Sequence, residues 1–214
     1  MEEVERRFAG SLVLSDRESK GLRIGGLAAR SALKYQFAVV CKVLTDRTFR
    51  RQSFIDLFSR LWGGDKGVTI SDVEGNRFLA CFQSEGDMRR VLYREPWDFD
   101  NSLIVMAPMG DARAITEVSL GSAVFWVQAH GVPWKFHTPE VAEDIGGMLG
   151  EYKEVKADEK GCCVGRCVCI RVCLDISLSL LRRTVVNFSE FGDQLIEFQY
   201  ERVWVNRAPN KNLF

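Results

Sequence analysis

The chain has 214 residues, of which 46% are apolar and 27% are charged, and its formal net charge is zero. This composition is typical of a globular protein long enough to bury a core, and it excludes a disordered or fibrous chain. A zero net charge means that a nucleic-acid partner would require a local basic surface. No stretch resembles a signal peptide or the roughly 18–20 apolar residues of a membrane span, so we expect an intracellular protein, in the nucleus or cytoplasm, with no membrane partner.

Residues 1–34 contain both acidic and basic residues, and their apolar residues do not recur at a regular spacing. We predict a loosely ordered lead-in here, with a short helix around Val4 to Leu12. The glycines of GLRIGGLAAR do not form a phosphate-binding loop, because no Lys-Ser or Lys-Thr pair follows them.

Residues 35–109 alternate between strand-like and helix-like patterns. FAVVCKVL predicts a strand, and the next segment predicts a helix that begins at Thr45 or Asp46 and stops at Gly63. The expected buried stripe of this helix is Phe54, Leu57, Phe58, Leu61 and Trp62. Two strands, a helix capped by Ser84 and Asp87, and a strand at SLIVMAP follow. This order predicts an α+β fold class, with a ferredoxin-like (RRM-like) βαββαβ unit.

A second α+β unit with antiparallel strands is predicted over residues 121–204. SAVFWVQAHGVP predicts a strand, and Thr138 followed by Pro139 predicts a helix start. The expected buried stripe of that helix is Val141, Ile145, Met148 and Leu149. Strands are then expected at about 152–155, 164–176, 183–188 and 195–203. Residues 109–121 are the predicted linker, and residues 205–214 are the predicted tail.

Five of the seven cysteines lie within residues 158–176, which read DEKGCCVGRCVCIRVCLDI. Strand alternation over 164–176 turns one apolar face inward, and the residues expected on the outward face are Cys163, Cys167, Cys169, Arg171, Cys173 and Asp175. Neighbours on one strand face are about 7 Å apart, whereas a disulfide needs Cβ atoms about 4 Å apart and zinc binds sulfur at about 2.3 Å. We therefore interpret the thiols as small strand side chains and predict no metal and no cofactor. A metal or redox role is the alternative.

Several segments of the chain occur in an order typical of one family. These segments are VLTDRTFRRQSFIDLFSRLW, FWVQAHGVPWKFHTPEVAEDIGGMLG, DEKGCCVGRCVCIRVCLDI with LLRR, and FQYERV. Together they resemble the plant domain of unknown function 4283, which occurs in gag-like proteins and open reading frames of non-LTR retrotransposons. The resemblance spans roughly residues 35–203 and implies a nucleic-acid-associated protein without its own catalysis.

The same family commonly continues after a YER segment into a zinc knuckle that contacts nucleic acid. Here Tyr200, Glu201 and Arg202 are followed by VWVNRAPNKNLF, which contains no cysteine or histidine. The zinc site of the family is therefore not carried over to this sequence.

RNA-recognition motifs stack bases on aromatic side chains at two outward positions of the third strand. Alternation here puts Arg77 and Leu79 at those positions, and it turns Lys42 of the first strand to the same face. Two interpretations stay open for this basic and aliphatic face. Lys42 and Arg77 contact phosphates in weak, salt-sensitive binding, or the face is covered by the second subdomain or a partner.

Three further arginines complete the predicted nucleic-acid contacts, because they lie beside strands of the second unit: Arg171, Arg182 and Arg183. No motif of a reverse transcriptase, α/β-hydrolase, P-loop NTPase or zinc protease occurs, so we expect no enzyme. The sequence thus predicts a module that binds RNA or single-stranded nucleic acid through the backbone. A protein-interaction domain, or a degenerate remnant that binds no nucleic acid, is the alternative.

Overall fold

The computed structural model describes Gly26 and residues 36–159, 162–163 and 165–201. Apart from Gly26, the predicted lead-in and its helix lie outside the described residues, as does the predicted tail. The described part forms two five-stranded antiparallel sheets. The strands of these sheets fall within 35–109 and 121–204, and the boundaries themselves stay predictions.

The first sheet confirms the predicted βαββαβ unit. Its elements are β1 (Ala38–Val43), α1 (Arg51–Trp62), β2 (Val68–Val73), β3 (Arg77–Phe82), α2 (Glu85–Tyr93), β4 (Trp97–Phe99) and β5 (Ser102–Pro108). The strand order is β2-β3-β1-β5-β4, which is the ferredoxin-like order with one added edge strand. That added strand, β4, was not predicted. It places Trp97 beside Trp62, with 5.9 Å between the ring centroids.

The predicted cap of α1 is wrong, whereas that of α2 is confirmed. Helix α1 begins after Arg50, which makes no side-chain cap. Thr45 lies in a turn instead, where its hydroxyl accepts a hydrogen bond from the N–H of Arg47 at 3.2 Å. Ser84 does cap α2, because its hydroxyl accepts from the N–H of Asp87 at 3.2 Å.

The buried face of α1 is narrower than predicted. Phe54, Phe58 and Trp62 are fully buried, but 36% of Leu57 and 47% of Leu61 are exposed. Ring centroids are 4.5 Å apart for Phe54 and Phe58 and 4.4 Å apart for Phe58 and Trp62. Three aromatic rings spaced four residues apart therefore fill the space over the sheet, and the two leucines turn outward.

The second sheet confirms the predicted second α+β unit. Its elements are β6 (Ser122–His130), α3 (Pro139–Leu149), β7 (Glu151–Val155), β8 (Val168–Asp175), β9 (Arg183–Phe188) and β10 (Gly192–Tyr200). The strand order is β7-β8-β6-β10-β9, so each strand takes the place of its counterpart in the first sheet. The difference lies in the connection between β8 and β9, where residues 176–182 contain no helix. The second unit therefore repeats the topology of the first without its second helix.

Loops close part of the second core. In the 3-10 turn Trp134–Phe136, the ring of Phe136 contacts Phe188, with centroids 4.8 Å apart. The two ring nitrogens of His137 lie 3.2 Å from the carbonyl oxygen of Cys163 and 3.1 Å from that of Val132. His137 thus joins two loops, and Cys163 is buried in the core.

Helix α3 starts as predicted, and three residues of its predicted stripe face the core: Ile145 is buried, and Val141 and Leu149 are partly buried. The hydroxyl of Thr138 accepts from the N–H of Val141 at 3.5 Å. Met148 was expected to be buried and is exposed, whereas Gly146 is buried. A Cβ added to Gly146 would lie 2.8 Å from Cδ2 of Tyr152, so the helix packs more closely on β7 than a larger residue would allow.

We predict that Phe58→Ala lowers the free energy of unfolding by about 3–5 kcal/mol, because it removes a fully buried ring. Leu57→Ala, a truncation on the exposed side of the same helix, should cost about 1 kcal/mol or less. Urea denaturation followed by circular dichroism measures both. Equal losses for the two variants would contradict the packing of α1 described here.

Candidate nucleic-acid interface

The first sheet has a helix-covered face and an opposite face, which we call the first outer face. The residues of this face on β1, β3 and β5 are Ala38, Val40, Lys42, Arg77, Leu79, Cys81, Leu103, Val105 and Ala107. The alternating residues Cys41 and Phe78 point to the helices, as predicted. In RNA-recognition motifs the equivalent of the first outer face carries the bound bases.

The linker covers much of the first outer face. Val118 is buried against Val40 and Leu79, and the partly buried linker residues in the same cluster are Met109, Ala112, Ile115 and Leu120. The linker includes a 3-10 turn, Ile115–Glu117, whose Glu117 carboxylate accepts the N–H of Arg113 at 2.9 Å. The apolar residues predicted on this face are therefore covered by the chain itself.

Arg77 holds the linker in this position. Its Nη1 atom donates hydrogen bonds to the carbonyl oxygens of Ile115 at 2.9 Å and Val118 at 3.4 Å. Lys42 lies opposite Arg77 on the neighbouring strand and is half-buried. The structure thus brings the two predicted basic residues together. The Arg77 guanidinium points to protein carbonyl groups. Contact of Arg77 with a phosphate stays a prediction.

The second subdomain covers another part of the first outer face. Val105 is fully buried and belongs to the apolar cluster that forms the core of the second sheet. Leu44 and Leu103 pack against the same cluster. The second subdomain therefore covers Val105, whereas the linker covers Val40 and Leu79, for which the second subdomain or a partner was expected as the cover.

Arg171 connects the two sheets and is only 4% exposed. Its Nη1 donates to Oε1 of Glu154 at 2.9 Å, and its Nη2 donates to the carbonyl oxygen of Tyr93 and to that of Leu92 at 3.4 Å. The guanidinium carbon also lies 4.3 Å from the ring centroid of Tyr93 and 6.0 Å from that of Trp126. Because Tyr93 ends α2 and Glu154 lies on β7, these contacts span both units.

Glu95 is a second buried charged residue at the same junction. Burial raises the pKa of its carboxyl group to about 7, although a hydrogen bond with the backbone of Val124 and the charge of Arg171 act in the opposite direction. Glu95 follows α2, and Val124 lies on β6. This carboxyl group therefore belongs to the contact between the two sheets.

The second sheet also has a face opposite its helix, which we call the second outer face. Its residues on β6, β10 and β9 are Val124, Trp126, Gln128, His130, Leu195, Glu197, Gln199, Arg183, Val185 and Asn187. Trp126 lies on the central strand and is half-buried. Gln128 donates from Nε2 to Oε1 of Glu201 at 2.8 Å, and Nε2 of His130 lies 3.2 Å from Oε1 of Gln128. This face thus combines an aromatic ring with amide and imidazole groups.

A groove of about 380 Å³ opens beside Trp126. The residues around it include Tyr93, Trp126, Glu154, Lys156, Cys169 and Glu201. The sequence analysis missed Trp126, because it sought an aromatic platform only in the first unit. Alternation within SAVFWVQAH would have identified it, since Trp126 falls between the buried Phe125 and Val127.

The remaining predicted arginines lie at the far edge of the second sheet. Arg183 is exposed on β9, in register with Glu197 of β10. Arg182 is exposed and precedes β9, and its carbonyl oxygen accepts from the N–H of Phe198 at 2.8 Å. Strands β6 and β10 separate β9 from β8, so Arg183 and Arg171 do not form one basic site.

The cysteine cluster differs from the prediction at two residues. Cys163 was expected to point outward, but it precedes β8 and is buried in the core. Cys167 also precedes β8, and its Sγ lies 3.9 Å from that of Cys169. The spacing of a regular strand therefore does not apply to this pair. Within residues 36–159, 162–163 and 165–201, no three His, Cys, Asp or Glu side chains are grouped so that they could hold a metal ion.

Comparison with known proteins supports the family resemblance over part of the chain. The model of a family described as Domain of unknown function (DUF4283) matches residues 31–116, which include all of the first sheet. No curated protein matches the sequence. Among the helices in the described part of the chain, none is sufficiently long and apolar to cross a membrane.

Two of the similar solved structures contain pairs of RNA-recognition domains. RNA recognition domains 1 and 2 of Sex-lethal from Drosophila melanogaster are 15% identical, with a TM-score of 0.28, and the match covers 63% of this chain and 84% of that chain. The first two RRM domains of the yeast poly(U) binding protein are 8% identical, with a TM-score of 0.28, and the match covers 77% of this chain and 98% of that chain. The fold class assigned above rests on the strand orders of the two sheets.

We predict that Arg171→Met lowers the free energy of unfolding by about 3–5 kcal/mol, because Glu154 and two carbonyl groups lose a buried donor. Arg89→Met is the control, since Arg89 forms an exposed ion pair with Glu85 at 2.6 Å. Loss of that pair should cost about 1 kcal/mol or less. Chemical denaturation compares the two variants, and a loss for Arg171→Met as small as that of the control would contradict the role of the buried guanidinium.

We predict that the free energy of unfolding falls as the pH rises from about 4.5 to about 7, the pKa range between an ordinary glutamate and buried Glu95. In this range the folded chain keeps a proton on Glu95 that the unfolded chain has released. The fall should be about 3 kcal/mol at most, and Glu95→Gln should remove it. Denaturation curves at pH 4.5, 6 and 8 measure the effect, and parallel pH profiles for both proteins would contradict it.

Proposed function

We propose that the chain is a non-catalytic, retrotransposon-derived module that acts inside the cell, in the nucleus or cytoplasm, and binds RNA or single-stranded nucleic acid. The observation that carries this proposal is the position of Trp126 on the central strand of the second outer face. The equivalent surface of the first sheet is covered by the linker. We therefore assign base stacking to the second sheet and not to the first.

The side chains around Trp126 suit single-stranded ligands. Bases in such complexes stack on aromatic rings and form hydrogen bonds with polar side chains of the sheet. Trp126 supplies the ring, and Gln128, His130 and Gln199 supply amide and imidazole groups on the same face. A duplex would not present its base faces to this surface.

The basic side chains that face solvent support only modest affinity for the phosphate backbone of a nucleic acid. We retain Lys42, Arg182 and Arg183 as phosphate contacts. Arg182 and Arg183 are exposed, and Lys42 is half-buried. The guanidinium groups of Arg77 and Arg171 donate to protein carbonyl groups. The second outer face also contains Glu197, and Glu201 follows it. Few phosphate contacts therefore form. We expect micromolar or weaker binding that decreases with salt and depends little on base sequence.

A protein-interaction function is the second candidate, because the second outer face also has an apolar part. Val185 and Leu195 are opposite each other on β9 and β10, with 61% and 50% exposed. Adjacent exposed apolar residues are typical of protein contact surfaces. If the module has lost nucleic-acid binding, this apolar surface is the one through which it would bind a protein partner.

We predict that replacing Lys42, Arg182 and Arg183 together with Ala weakens binding to all single-stranded sequences alike and lowers the salt slope by about one unit per lost contact. Fluorescence anisotropy with labelled single-stranded RNA at two salt concentrations measures both effects. The matched control replaces Arg60, Lys66 and Arg89 with Ala, because these exposed cations lie on or next to the helices of the first unit. Trp126→Leu tests stacking, which contributes about 1–3 kcal/mol per base.

Two outcomes would contradict the proposal. One is the absence of binding at low salt to single-stranded RNA, single-stranded DNA and duplex alike, which would leave the protein-interaction function. The other is an equal loss in the control variant, which would show that total charge matters and not the assigned surface. Circular dichroism of each variant establishes that it is folded.

A further inference from the structure

Two thiols of the cysteine cluster lie close together at the start of β8. The Sγ atoms of Cys167 and Cys169 are 3.9 Å apart, and both residues are half-buried. Cys169 is part of β8, whose pairing with β6 begins at Val168. Cys167 lies in the bend of residues 165–167, so its side chain does not follow the strand alternation. Small reagents can therefore reach a pair of sulfur atoms that are already adjacent.

The other cysteines in the described residues have different surroundings. Cys41, Cys81 and Cys163 are buried within apolar clusters. Cys162 is exposed, and its neighbour Cys163 is buried. Cys173 is half-buried on the same strand as Cys169, but four residues further on, which is about 13 Å along a strand. Cys173 therefore serves as an internal control for a reaction that requires two neighbouring thiols.

We propose that Cys167 and Cys169 are a redox-active pair that forms a reversible intrachain disulfide by exchange with a small disulfide of the glutathione class. In the first step the Cys167 thiolate attacks one sulfur of the small disulfide, whose S–S bond breaks and releases one small thiol. In the second step the Cys169 thiolate attacks the Cys167 sulfur and expels the second small thiol. Two protein thiols are oxidised, one small disulfide is reduced to two thiols, and the two protons pass to those products.

The surroundings of the pair favour this order of attack. Burial raises the pKa of the Cys169 thiol to about 11, with the neighbouring Cys167 as the next cause. Cys167 lies in the bend before the strand, where its side chain can turn toward a reagent, so it is the first nucleophile. Cys169 then attacks within the chain, where proximity offsets its low thiolate fraction.

Closure of the disulfide requires a movement that the bend can supply. An S–S bond is about 2.05 Å long, so the sulfur atoms must approach by about 1.9 Å from their separation of 3.9 Å. Cys167 precedes the β6–β8 pairing, and its side chain can turn without breaking a ladder hydrogen bond. The inference does not depend on the proposed function, although Cys169 lies beside Gln128 and the groove.

The experiment exposes the folded, reduced full chain to glutathione disulfide, quenches it with acid, unfolds it and alkylates every remaining thiol. Trypsin then cuts after Arg166 and Arg171 and releases the peptide CVCIR, which contains these two cysteines and no other. We expect mass spectrometry to show this peptide without alkyl groups and lighter by two hydrogen atoms than the reduced, unalkylated peptide. Dithiothreitol should restore both sites, and Cys173 should stay alkylated.

Two variants separate the pair from general thiol reactivity. Cys173→Ser should leave the loss in CVCIR unchanged. Cys169→Ser should stop the reaction at the first step, so that its peptide carries one glutathione on Cys167. The proposal is overturned if the oxidised wild-type peptide keeps two alkyl groups, carries two glutathiones, or is linked to another cysteine. The wild-type measurement decides this even if a variant fails to fold.

Discussion

A buried guanidinium must be paired wherever the chain places it, and this requirement connects the two halves of the protein. Removing a charge from water costs several kcal/mol unless close partners replace the water. The partners of Arg171 are Glu154 on β7 and the carbonyl groups at the end of α2, and the rings of Tyr93 and Trp126 lie near its guanidinium carbon. No single unit supplies them all. The charge is therefore compensated only when α2 lies against the second sheet, and Glu95 adds a second polar contact to the same junction.

The position of the linker determines which of the two outer faces is covered by the chain itself. In the first sheet the residues that alternate away from the helices are mainly aliphatic, and the linker and the second unit bury them. Exposing them would cost about 25 cal/mol for each Å² of apolar surface, with no aromatic ring to stack a base in return. On the second outer face, Trp126, Gln128 and His130 are half-buried. The two sheets thus share a topology, but the linker and the second unit bury much of the outer face of the first sheet.

The sequence predicted the strands and helices better than it predicted the contacts between them. Alternation identified the strands and the two faces of β8, and the Ser84 and Thr138 caps were visible because capping is a local interaction. The contacts of Arg77 and Arg171 could not be predicted, since their carbonyl partners lie 38 or more residues away in the chain. The proximity of Cys167 and Cys169 was missed for a different reason. It depends on where β8 begins, and element boundaries are the least reliable part of a pattern-based prediction.

The absence of a second helix from the second unit has a consequence for local opening. Helix α2 protects its own amide groups, and it rests on the first core through the buried Val91. The corresponding part of the second core is closed by loops, which His137 joins through two carbonyl groups. Loops held by a few bonds open at a lower free energy than a packed helix. We therefore expect the slowest amide hydrogen exchange in the first sheet, and we expect partial opening to begin where Phe136 contacts Phe188.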